Sequence, residues 1–160
     1  MTCSKRFAPK LLAATIFLGL TGAASAGGLN ADLAACPSNG TAIGDVKSCG
    51  KIWKLKSGHV HLASDGRLRV EVRGLVLNDE SVGKFNGTPD GVDAVAAAVV
   101  CNGPNGAAVA AQADPVPLGK SGDARIDVKL SLPSACYGPV VVLRERYEGN
   151  IGGWLAATGM

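Results

Sequence analysis

Arg67-Leu68-Arg69-Val70-Glu71-Val72-Arg73 alternates charged and apolar side chains without a break. Successive side chains of a strand point to opposite faces, so this stretch has one wet face and one buried face. Wound as a helix, the same residues would scatter their charges around the whole circumference and leave no apolar stripe. Asp123-Ala124-Arg125-Ile126-Asp127-Val128-Lys129-Leu130-Ser131-Leu132 repeats the pattern over a longer run. Each strand has an apolar face that needs a second layer to cover it.

Outward from these two segments, Ser64-Asp65-Gly66 reads as the turn into the first, Asp-Gly being a hairpin signal. His59 to Ala63 is then its partner strand, with Lys51 to Lys56 a further short strand before Ser57-Gly58. Val92 to Cys101 is a valine-bearing apolar run bounded by Gly91 and Asn102-Gly103-Pro104-Asn105-Gly106, which predicts a strand buried on both faces. Ala107 to Ala113 is its hairpin partner, and Val140 to Tyr147 and Trp154 to Thr158 complete the set. Leu29 to Ala35, rich in Ala and Leu, reads as a helical turn. About eight strands with Gly-rich turns and no long helix predict an all-β fold. It is an antiparallel β-sandwich, for which an immunoglobulin-like arrangement is one form. Trp53 and Trp154 are expected in the core or closing the sheets. The longest gap, residues 78–91, exceeds a normal strand connection and is a candidate contact loop. Phe85, within it, is expected either to belong to that contact surface or to plug the edge of the core.

The N-terminus has a different character. Lys5, Arg6 and Lys10 precede the apolar run Leu11 to Leu20, and Ala24-Ser25-Ala26 supplies small residues. That order predicts a secretory signal peptide over 1–26, cut after Ala26, and a single exported domain over 27–160. An apolar run of that length falls short of the roughly 20 residues that cross a bilayer, so no membrane span is expected. The formal charge of +3 leaves with the signal: three of the 16 Lys and Arg lie in it, whereas all 13 Asp and Glu lie beyond it. A neutral mature chain offers no overall electrostatic argument for nucleic acid.

Cys3 is also removed, leaving Cys36, Cys49, Cys101 and Cys136. An even number in an exported chain predicts two disulfides, with three connectivities possible. Closure of the shortest loops favours Cys36–Cys49 and Cys101–Cys136. The spacing matches no zinc motif.

His59-Val60-His61 is the candidate metal site, because residues i and i+2 of a strand share a face and Asp65 is near in sequence. Zinc ordinarily takes three or four protein ligands, so the pair alone is a sparse set, and no cofactor is expected. Gly119-Lys120-Ser121 lacks the earlier glycine and the following helix of a phosphate-binding loop. Asn86 to Asp93 offers oxygen ligands but not the spacing of a calcium loop. No Gly-x-Ser-x-Gly elbow occurs, and Glu71, Glu80, Glu145 and Glu148 show no pairing signal for glycosidase chemistry.

His59-Val60-His61 resembles the His-Val-His of copper/zinc superoxide dismutases. The further histidines which that family requires are absent here, so the resemblance carries no redox function. The Ala/Gly/Val-rich composition with two disulfides is similar to that of the secreted apoproteins of enediyne antibiotics. That likeness implies an immunoglobulin-like sandwich and a carried ligand, but brings no site residue with it. Cys36-Pro37-Ser38-Asn39-Gly40 resembles the bridged loop of small secreted protease inhibitors. The expectation that follows is an exported, non-enzymatic binding or envelope-associated protein with a protein or small-molecule partner. A small-molecule or metal carrier and a protease inhibitor are the alternatives.

Overall fold

The computed structural model describes residues 28–37, 40–89 and 91–159. The expected signal peptide, with Ser38, Asn39 and Asp90, lies outside the described residues. Eleven strands follow one another: β1 Leu29–Ala35, β2 Trp53–Lys54, β3 Ser57–Leu62, β4 Arg67–Arg73, β5 Val76–Leu77, β6 Val92–Gly103, β7 Gly106–Gln112, β8 Val116–Pro117, β9 Ala124–Lys129, β10 Tyr137–Tyr147 and β11 Asn150–Thr158. A 3-10 helix, Glu80–Phe85, interrupts them between β5 and β6. Three of the strands are only two residues long, and the eight longer ones equal the expected number but not the expected set: β1 stands where a helical turn was expected, and the strand expected over Lys51 to Lys56 is reduced to β2.

All strand pairs are antiparallel, and the main sheet runs β7-β6-β10-β11-β1-β3-β4-β9, with β8 also on β6. The sheet curls at β1. Leu29 to Asp32 pair with β3, whereas Leu33 to Ala35 pair with β11. One strand therefore belongs to two layers, one of β3, β4 and β9 and the other of β11, β10, β6 and β7. The helical turn expected over Leu29 to Ala35 is thus overturned. Two neighbours offer hydrogen bonds to both edges of the segment, and they outweigh the modest helix preference of its Ala and Leu.

The first layer is half wet, as its alternation requires. Val60 and Leu62 of β3, Leu68, Val70 and Val72 of β4, and Ile126 of β9 are buried in one continuous core. Each contributes roughly 1.5–3 kcal/mol of hydrophobic burial. The β3–β4 turn falls at the expected place, with Gly66 at φ 85° and its N–H donating to the Ala63 carbonyl (3.0 Å).

The second layer is dry on both sides at its centre, in β6, β10 and β11. In β6 every residue from Ala94 to Cys101 is buried, as are Val141 to Leu143 and Gly153 to Thr158. Its outer side is covered by residues 40–49, and the Cys36–Cys49 disulfide closes the base. The Trp154 indole N–H donates to the Thr41 carbonyl (2.8 Å), and the Trp154 amide donates to the Lys47 carbonyl (2.9 Å). A Cβ on Gly44 would lie 2.9 Å from Val100 Cγ1, so the chain can cross here only as glycine. Asp45 accepts the Val109 amide of β7 (2.9 Å) at the far edge. The segment is thus a strap across the sheet. The second disulfide, Cys101–Cys136, ties β6 to the approach of β10. Both bridges are the pairs that loop length favours. Trp154 is fully buried and Trp53 nearly so.

Candidate functional site

The register builds the outer face of the first layer into two polar rows. Asn30 of β1, His61 of β3, Arg69 of β4 and Asp127 of β9 are aligned in one, and Asp32, His59, Glu71 and Arg125 in the other. Ion pairs run along the rows. Arg69 donates from both Nε and Nη2 to Asp127 Oδ2 (3.1 and 2.9 Å), and Arg125 Nη1 lies 3.4 Å from Glu71 Oε1. At one end Arg67 stands directly opposite Lys129, and the nearby carboxylate, Asp65, lies 3.9 Å from the Lys129 amine. The Asp65 carboxyl is held below its ordinary range, first by the Arg67 amide that it accepts and then by these two cations. At the other end, Arg73 and Arg125 border an open depression of 440 Å³ with Glu71 and Asp123.

His59 and His61 do share this exposed face, two residues apart. His59 Nδ1 is engaged 2.5 Å from Asp32 Oδ1, and His61 faces Asn30 and Arg69 across its two strand pairings. Asp65 lies at the Arg67–Lys129 end of the face, where its carboxylate receives the Arg67 amide. Among the described residues no group of three His, Cys, Asp or Glu side chains is placed to hold a metal ion.

The loop 78–91 forms the second candidate site. Asp79 caps the 3-10 helix by accepting the Ser81 amide and hydroxyl (3.0 and 2.6 Å), bonds that hold its carboxyl below the ordinary range. The helix folds against the end of the second layer and encloses a cleft of 250 Å³. Trp53, Leu77, Val82, Val92 and Tyr147 supply apolar walls, and Lys51 and Glu145 supply opposite charges. Tyr147 is 50% exposed, and its ring packs over Gly91, where an added Cβ would lie 2.5 Å from the ring. Glu145 Oε1 accepts the Gly153 amide (3.3 Å), which orients it. Phe85 does not plug the core: it is 40% exposed, with the Lys84 amine 5.2 Å above its ring. In the Asn86-to-Asp93 stretch the Asp93 carboxylate is bound by Arg146 (2.8 Å), and Asp90 lies outside the described residues. Gly119-Lys120-Ser121 is a tight turn into β9, closed by the Gly122 amide on the Gly119 carbonyl (2.8 Å).

No family model, curated protein or solved structure matches the chain.

The cleft was not legible in the sequence beyond the loop itself. Its walls come from separated segments around Trp53, Leu77, Val82, Val92 and Tyr147, and no local pattern links them. The one available hint was the length of the loop that roofs it.

Proposed function

We propose that the protein is an exported, non-enzymatic binding module and that the cleft under the 80–85 helix receives an apolar side chain of its partner. The observation that carries this reading is the convergence of Trp53, Val82 and Tyr147 around a small cleft flanked by Lys51 and Glu145. A half-exposed tyrosine beside an apolar recess is the kind of anchor on which binding energy concentrates. At 250 Å³ the cleft falls below the roughly 300–1,000 Å³ of pockets that enclose a free ligand, which favours a partner's side chain over a carried molecule.

Export rests on the tripartite N-terminus and the two disulfides. The two-layer antiparallel build supports an immunoglobulin-like description. The β3–β4 hairpin departs from that family's order, in which the second strand lies between the first and the fifth.

A photo-crosslinking residue at Val82 or Tyr147, expressed in the native host, tests the site. Adducts of one size from both positions, and none from the same residue placed at Gln112, are expected. Equal labelling from all three positions, or none from the cleft, overturns the reading. Mass spectrometry of the secreted protein tests export: residues 27–160 less four hydrogens are expected, and an intact N-terminus would contradict it.

A further inference from the structure

The main sheet ends at β9, and among the described residues no strand pairs with the side of β9 turned away from β4. One bond assigns its backbone groups. The Leu130 amide donates to the Gly66 carbonyl (2.9 Å), so the even-numbered residues turn toward β4. Arg125, Asp127 and Lys129 therefore aim their N–H and C=O groups at the open edge. The turn before β9 covers only its first end, where the Gly119 amide donates to the Asp123 carbonyl (2.9 Å). The core is also thinnest along this edge. Leu68, Val70 and Val72 of β4 are buried, whereas Ala124, Val128 and, just beyond β9, Leu132 are covered only in part.

We propose that this edge pairs with the same edge of a second copy, antiparallel about a two-fold axis at Val128, so that two first layers become one continuous sheet. Alternating charges exclude strands in general, but they admit a strand that carries the complementary order. Hydrogen bonding requires odd residues to face odd ones, which leaves few registers. Centred on Asp127 or Lys129, the pairing sets like charges against each other. Centred on Ile126, it brings Lys129 to the place beside Asp123 that the turn occupies. Centred on Val128, it sets Asp127 of each copy against Lys129 of the other, and Arg125 against Ser131. This register, chosen by charge, also sets Val128 against Val128 and Ala124 against Leu132, the apolar residues that one copy leaves half covered. That agreement carries the proposal. Asp127 already holds Arg69, and Lys129 lies near Asp65. Charge therefore selects the register, while backbone hydrogen bonds and apolar cover supply the attraction.

Sedimentation equilibrium of the secreted protein tests this. A single edge makes a small interface, so a reversible dimer with Kd of about 10 µM to 1 mM is expected. D127K and K129D, each alone, oppose like charges and should weaken association about tenfold or more. Mixed in equal amounts they should associate again, because every opposed pair then differs in sign. K54E, a charge reversal away from this edge, should leave Kd within about twofold. Circular dichroism checks folding. K129P, which removes one outward N–H and no bond to β4, is a second test and should weaken the dimer to a similar degree. The cleft variant V82R should associate as the wild type does, which keeps this edge separate from the cleft. A protein still monomeric at about 1 mM, unchanged association in either swap, or a mixture of the swaps that stays monomeric overturns the assignment.

Discussion

Gly66 shows how a single residue fixes the strand that decides the fold. At φ 85°, an added Cβ would lie 2.1 Å from the Leu130 carbonyl oxygen, where rigid backbone blocks any retreat. Gly66→Ala is expected to cost about 2–3 kcal/mol in chemical denaturation. Gly149, at φ 82° with open space around its Cβ position, is the comparison, and Gly149→Ala should cost about 1 kcal/mol. Equal costs would show that steric contact at Gly66 contributes nothing. Asp123 acts similarly through charge. Its carboxylate accepts the Gly74 amide and the Ser121 hydroxyl, each at 2.9 Å, and these bonds lower its pKa from the usual 3.8. A carboxyl depressed on folding stabilises the fold above its unfolded value and ceases to do so as pH falls through the folded one. Asp123→Asn should therefore be less stable than the wild type at pH 7, with the gap closing below about pH 4. Thermal midpoints over that range check it, and a constant gap would contradict the assignment.

At the scale of elements, legibility followed burial. β4 and β9 were plain in the sequence because each has one wet face, so Arg67, Arg69, Arg125 and Asp127 mark every second position. β6 could be read only from its bounding glycines, since both of its faces are covered and no period survives. β1 was misread because its conformation is imposed by β3 and β11 rather than by its own residues. The two histidines were placed correctly on one face, but what surrounds them depends on register, and register is a property of pairs of strands. The strap also changes how the sheet edges should be viewed. The β9 edge is guarded by alternating charges, whereas β7 carries only Gly, Ala, Val and Gln, a composition that invites further pairing. Asp45 occupies the Val109 amide there. Asp45→Ala is expected to leave that edge open and to produce concentration-dependent dimers in analytical ultracentrifugation. A variant as monomeric as the wild type at the same concentrations would show that the strap does not guard the edge.

Taken whole, the molecule places its two candidate surfaces on different layers. The cleft lies at the end of the dry layer, and the charged rows cover the outside of the half-wet one. A partner in the cleft would therefore leave the polar face free. The single core beneath both, shared by β3, β4, β6, β9, β10 and β11, predicts one cooperative unfolding transition. Calorimetric and van't Hoff enthalpies that disagree would reveal two independently melting layers.

The strand shared by both layers gives folding an order in time. Leu33 to Ala35 find their partners in Ala156 to Thr158, so among the described residues the first strand waits for the eleventh. A chain emerging N-terminus first can close the β3–β4 hairpin early, yet it keeps one edge of β1 vacant until β11 has been made. Contacts of such long sequence separation belong to folds that close in milliseconds to seconds rather than microseconds. The β1–β11 pairing thus acts as a clasp: the two layers cannot be joined before both strands are present.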